Sequence, residues 1–196
     1  MTAPYLEQIP SELAFATPGD WFALRVPKQP ADADTLPSQI LAAQPRLTRR
    51  REAVERMARG LVTACAQLDV LCAYTTALDV PGGPLPATVL ANAYPLNGLT
   101  VFQLAEQMSG DEGAELARFT LPVGPTARIE RLQEWDGPDG DQRIVFLVVH
   151  YIAEIPGSGI AIMLTFATPA LALAVELRRL FHQIACTLQF TPPEQR

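Results

Sequence analysis

Histidine, cysteine and positive charge are what this chain has least of. His150 and His182 are the only histidines among 196 residues, so the side chain that most often moves protons near neutral pH is nearly missing. Neither comes with a GxSxG elbow or with a nucleophile at a recognisable spacing. His150 falls inside an apolar run and His182 falls off the apolar stripe of a helical pattern, so a sheet-face and a solvent position account for them. Cys65, Cys72 and Cys186 are odd in number and lack CxxC spacing, which speaks against a disulfide framework and against a zinc site. Each sits among apolar neighbours, as free thiols in a reducing compartment do, and the expected location is cytoplasmic. The net charge of −6 has the wrong sign for a general nucleic-acid binder, which must displace counterions from phosphates. Long apolar runs are absent too. Nothing reaches the ~18 residues of a membrane span, and MTAPYLEQIPSELAF has neither the basic nor the apolar part of a secretory signal.

What is present is material for a core. Hydrophobic residues make up 48% of the chain and charged ones 18%, enough for one well-buried domain over 1–196. Eighteen prolines fall mostly at element boundaries and announce many short, sharply ended elements. The richest block is 143–190. RIVFLVVHYIAEI, from Arg143 to Ile155, runs into Pro156–Gly159 and returns as IAIMLTF, from Ile160 to Phe166, which predicts a hairpin deep in a sheet. From Pro169 the period becomes helical, with Leu173, Leu177, Leu180, Ile184 and Leu188 on one stripe and Arg178, Arg179 and His182 off it.

The rest of the chain follows the same grammar. Glu12–Phe15 and Trp21–Val26 read as a strand pair turning at Thr17–Asp20 and closed by Pro27 and Pro30. Ala31–Ala43 reads as a short helix, and Val54, Met57, Leu61, Cys65 and Leu68 mark an amphipathic helix to about Gln67. Val70–Leu78 and Ala87–Tyr94 are strands around the Pro81–Pro84 loop, Leu99–Met108 is a helix, and Glu115–Leu121 and Thr126–Trp135 pair through Pro122–Pro125. Short turns imply antiparallel neighbours, so the expected class is α+β: a largely antiparallel sheet of about seven or eight strands flanked by three to four helices.

Candidate chemistry is thin. Glu134, Asp136, Asp139 and Asp141 fail the register of a calcium loop and read as a polar hairpin tip. Arg46, Arg49, Arg50 and Arg51 read as a solvated helix face, since Glu52 and Glu55 lie four residues before Arg56 and Arg59. Arg128 and Arg131, with Glu130 between them, read as a charged row on the solvent side of a strand that can also orient an anionic ligand. Trp21, Tyr74, Tyr94, Phe119, Trp135, Phe146 and Tyr151 lie in or beside strands; core packing accounts for most of them, and an uncovered face would present some to a partner. No catalytic, metal or cofactor residue is assigned.

GDWFALRVP near the start, a helical insertion, an antiparallel sheet, and a long hairpin ending LTFATP before LRRLFHQIACTLQF together resemble the PsbP-like α/β/α sandwich superfamily. That group includes the actinobacterial LpqN-type lipoproteins, the DcrB-type proteins and the Eag chaperones of type VI secretion. LPVGPTARIERL with the closing LTF…LFHQIACTLQF is similar to a group of uncharacterised actinobacterial proteins, and the resemblance is specific over 115–190. It implies a non-catalytic binding or adaptor protein, in its narrower form a chaperone for a secretion-system substrate. A small-molecule or lipid-binding domain with a pocket between sheet and helices is the alternative, and an enzyme the third. The surface expected to receive a protein partner lies around 115–135 and 143–154, with Arg128, Arg131 and Trp135 as candidate anchors.

Overall fold

β8, Ile160–Thr168, is apolar along nearly its whole length because both of its faces are covered, and it lies at the middle of the sheet. In this computed structural model, which describes residues 12–24, 26, 34–67, 70–80, 83–110, 113–136 and 143–191, the chain is α+β. The elements run β1 (Glu12–Ala14), β2 (Phe22–Leu24), α1 (Leu36–Ala43), α2 (Arg51–Gln67), β3 (Val70–Val80), β4 (Gly83–Pro95) and α3 (Val101–Met108). β5 (Glu115–Leu121), β6 (Gly124–Asp136), β7 (Arg143–Ile155), β8, α4 (Ala174–Cys186) and β9 (Gln189–Thr191) complete the order. Seven strands form one antiparallel sheet in the order β2-β3-β4-β8-β7-β6-β5, and β1 with β9 forms a second, two-stranded one.

Strand alternation gives the large sheet two faces, and they are covered differently. On one face α4 lies over β4, β8 and β7. Val89, Val149, Tyr151, Ile162, Leu164 and Phe166 meet Leu177, Phe181, Ile184 and Leu188 in one continuous cluster. On the opposite face the cover is split: α1 and α2 pack on β3 and β4 around Leu36, Ile40, Val54 and Leu61. Separately, α3 packs on β6–β8 around Leu96, Val101, Ala105, Ile129 and Met163. The seam between those two layers crosses β4, β8 and β7.

The expected hairpin over 143–167 is present, with Ile155 opposite Ile160 and Leu147 opposite Thr168. The expected α4 stripe keeps Leu177, Ile184 and Leu188 in the core but exchanges Leu180 for Phe181. Phe181 is fully buried and stacks on Phe166 at 4.7 Å, whereas Leu173 and Leu180 are only half-buried. α3 begins at Val101 rather than Leu99 because Thr100 caps it: the Gln103 amide N–H donates to Thr100 Oγ1 and the Thr100 N–H to Gln103 Oε1. Asn97 and Gly98, both at positive φ, make the turn that releases β4 into that cap. β3 and β4 run past their expected limits to Val80 and Gly83. Pro84 and Pro86 fit inside β4 because its pairing with β8 begins only at Thr88, so their missing N–H leaves no position empty on that side.

The strand pair expected from 12–15 and 21–26 is not formed. β1 pairs instead with β9, Leu13 opposite Phe190, and β2 pairs with β3, Ala23 opposite Tyr74. Thr187 fastens the first contact, its Oγ1 accepting from the Ala16 N–H at 2.8 Å. Long-range pairing defeats the local turn: β2 takes the edge of the much longer β3, and β1 takes the equally short β9 that follows α4. The Pro27 and Pro30 closure, the start of the helix expected from Ala31, Pro81 and Gly82 of the expected loop, and Asp139 and Asp141 of the acidic tip lie outside the described residues.

Candidate functional site

Arg128 and Arg131 are three residues apart on β6, and in a strand an odd spacing puts them on opposite faces. They therefore do not form the charged row expected on the solvent side, and both are half-buried. Arg131 shares the split face with Ile129, which pairs across to His150. Arg128 shares the α4 face with Glu130. Trp135, at the far end of β6, is 36% exposed and packs on Phe146 with ring centroids 5.0 Å apart. The three expected anchors thus point to three different surroundings.

Arg128 enters a polar network under α4. Its guanidinium lies 5.2 Å over the Phe119 ring and 3.9 Å from Glu130. Glu130, nearly buried, accepts from Arg178 Nε at 2.5 Å, which explains why a residue outside the apolar stripe of α4 is itself half-covered. Tyr151 reaches His182 Nδ1 at 3.3 Å, and His182 Nε2 lies 3.7 Å from Cys186 Sγ, one helical turn further on. Burial holds the Tyr151 hydroxyl above its usual range, against the pull of the Arg128 charge. His182 is thus half-buried against Tyr151 and Phe119, not the solvent group its helical position suggests.

The seam on the other face holds a second polar set. His150 Nδ1 lies 3.0 Å from Thr165 Oγ1, directly opposite it across β7 and β8. Burial first and the Arg131 charge second push His150 down to about 4, so it is a neutral imidazole at physiological pH. Asn92 on β4, diagonal to Thr165, is 1% exposed, and neither of its amide atoms has a hydrogen-bond partner among the described residues.

The remaining feature is a ribbon. β5 leaves β6 at Glu130 and β8 leaves β7 at Leu147, so 131–136 and 143–146 continue as two strands alone. Among the described residues the large hydrophobics left exposed are Leu132 at 62%, Val175 at 56%, Leu171 at 39% and Trp135 at 36%. Trp135 lies with Phe146 on the split face, whereas Leu132 shares the α4 face with Arg128 and Glu130. From His182 to Arg178 α4 moves back about 6 Å, and Arg128 to Glu130 on β6 advances about 6.6 Å. One further turn back brings Val175 level with Leu132, and Leu171 lies just beyond.

Of the expected anchors Trp135 is exposed on the ribbon while Arg128 and Arg131 are half-buried further back on β6, and Leu132, Val175 and Leu171 are exposed hydrophobics not singled out from the sequence. Leu132 carried a readable signal, an apolar residue among charged ones on an alternating strand; Val175 and Leu171 did not, because only the fold sets them beside it. Among the described residues no helix is long and apolar enough to cross a membrane. The chain matches no family model and no curated protein.

Proposed function

We propose that the protein is a non-catalytic binding or adaptor protein that docks an extended apolar segment of a partner protein on the 131–136 ribbon. The observation that carries this is that the exposed Leu132, on the α4 face, and Trp135, on the opposite face, both stand on the stretch of β6 that has no outer neighbour among the described residues. An unpaired strand edge presents N–H and C=O groups in register for one more strand, and such pairing supplies affinity while side-chain contacts supply selectivity. The added strand continues the row of β5, laying alternate apolar side chains on Leu132 and Val175. Arg143 and Glu134, ion-paired at 3.4 Å on the ribbon, form a polar rim. The resemblance to the PsbP-like superfamily favours the same role, and a cytoplasmic chaperone for a secreted substrate is its narrower form. A partner captured from the host and identified by mass should protect the amides of 131–136 from hydrogen exchange. Leu132→Lys should weaken that complex by about tenfold or more with the melting temperature unchanged. Protection confined to other strands, or full affinity in the variant, overturns the proposal.

The buried, unpartnered amide of Asn92 favours a second reading, a small-molecule or lipid-binding domain with its ligand at the seam between the α2 and α3 layers. Native mass spectrometry of protein purified from the host tests it: a non-covalent ligand lost on Asn92→Leu supports this reading, and bare protein removes it.

A further inference from the structure

Cys186 differs from the other two cysteines in what surrounds its sulfur. Burial pushes the thiols of Cys65 and Cys72 up to about 11, which keeps them protonated and inert. Cys186 instead ends a chain of three side chains drawn from a strand and a helix: Tyr151 on β7, and His182 and Cys186 on α4. The two ring nitrogens of His182 face different partners, Nδ1 the Tyr151 hydroxyl at 3.3 Å and Nε2 the Cys186 Sγ at 3.7 Å. In the tautomer whose Nδ1 accepts from the Tyr151 O–H, the Nε2–H points at the sulfur. Phe119 packs on both the Arg128 guanidinium and the His182 ring and fixes their planes. A nucleophile, a ring within reach of it and a third group orienting that ring is the arrangement by which thiols are activated.

We propose that Cys186 is a reactive thiol, oriented by the Tyr151–His182 pair, that is modified by small disulfides through thiol–disulfide exchange. The Cys186 sulfur, having given its proton to water, attacks one sulfur of the disulfide. A new S–S bond joins Cys186 to that half, the old S–S bond breaks, and the other half leaves as a thiolate that takes up a proton. Cys186 is oxidised and the departing half reduced, with no further reagent. His182 and Tyr151 are positioning residues.

The test uses the full chain with oxidised glutathione at pH 7, quenched by acid and read by peptide mass spectrometry for each cysteine. Cys186 should acquire the glutathione adduct at least about tenfold faster than Cys65 or Cys72. His182→Gln should slow it by about tenfold, Tyr151→Phe by a few-fold, and iodoacetamide should show the same ranking. Circular dichroism on each variant separates lost reactivity from lost fold, and the wild-type ranking of the three cysteines needs no variant at all. Cys186 reacting no faster than Cys72, or a folded His182→Gln variant reacting at the wild-type rate, overturns the proposal.

Discussion

The two faces of the seven-stranded sheet are built from the same strands, yet one is a single apolar cluster and the other is two clusters with polar side chains between them. Under α4, alternate residues of β4, β7 and β8 are apolar without interruption, and a single helix spans them. On the reverse side, Asn92, Thr165 and His150 occupy the positions where the cover passes from α2 to α3. The lesson is that in the middle of the sheet polar side chains are buried where two layers of cover meet, whereas under α4 they are held to the β6 side, where Glu130 pairs with Arg178. Apolar packing holds the first face. The second depends on each polar group keeping its hydrogen bond and its neutral state.

The largest expected effect belongs to the first face. Phe181 is fully buried and stacked on Phe166, which is itself edge-on to Tyr151 at 5.9 Å, so truncating it opens a void in the middle of the cluster. Phe181→Ala should cost ~3–5 kcal/mol in denaturant unfolding. Leu180→Ala, one residue along and only half-buried, should cost clearly less. Equal losses would mean that the helix does not present the face described.

The second face should show itself in the pH dependence. His150 is neutral when folded, with its value held at about 4 against an ordinary value of 6.5. Between these limits the unfolded chain binds the extra proton, so stability is whole above about 6.5 and falls as the pH drops toward about 4. The full swing is about 3 kcal/mol. The difference between wild type and His150→Gln, measured by urea unfolding at several pH values, isolates it from the carboxylates that titrate nearby. A difference that stays flat from pH 7 to 4 would show that His150 is not buried beside Thr165 and Arg131.

The comparison also explains which parts of the fold could be read in the sequence. The 143–167 hairpin and the helix after it were legible because their signals are local: a turn, an apolar run, a helical period. The choice of Phe181 over Leu180 was not, since both fit a helical stripe and only the Phe166 ring opposite decides between them. The β1–β9 pair joins residues about as far apart as the chain allows, and no local pattern announces it. Arg128 and Arg131 were readable as belonging to opposite faces from their spacing alone, once 124–136 is taken as one strand. His182 and Cys186 stand one helical turn apart in the sequence, but Tyr151, which meets the other ring nitrogen of His182, comes from a strand that only the fold brings beneath it.

The smallest effect is the most pointed for the split face. Asn92 is buried with both amide atoms unpaired, whereas Thr165 and His150 beside it satisfy one another. An unpaired buried amide costs about 1–3 kcal/mol, and leucine has nearly the same shape with nothing to satisfy. Asn92→Leu should therefore raise stability by about 1 kcal/mol, a few degrees in a thermal melt. Thr165→Val, by the same measurement, should lower stability, because it strips His150 of its partner and leaves the ring nitrogen unsatisfied. Opposite signs at two neighbouring positions on one face would establish that the seam is governed by hydrogen-bond accounting and not by volume. If Asn92→Leu instead destabilises protein purified from its host but stabilises protein refolded from denaturant, the amide has a partner that denaturation removes, and the seam is a binding site rather than a flaw in the packing.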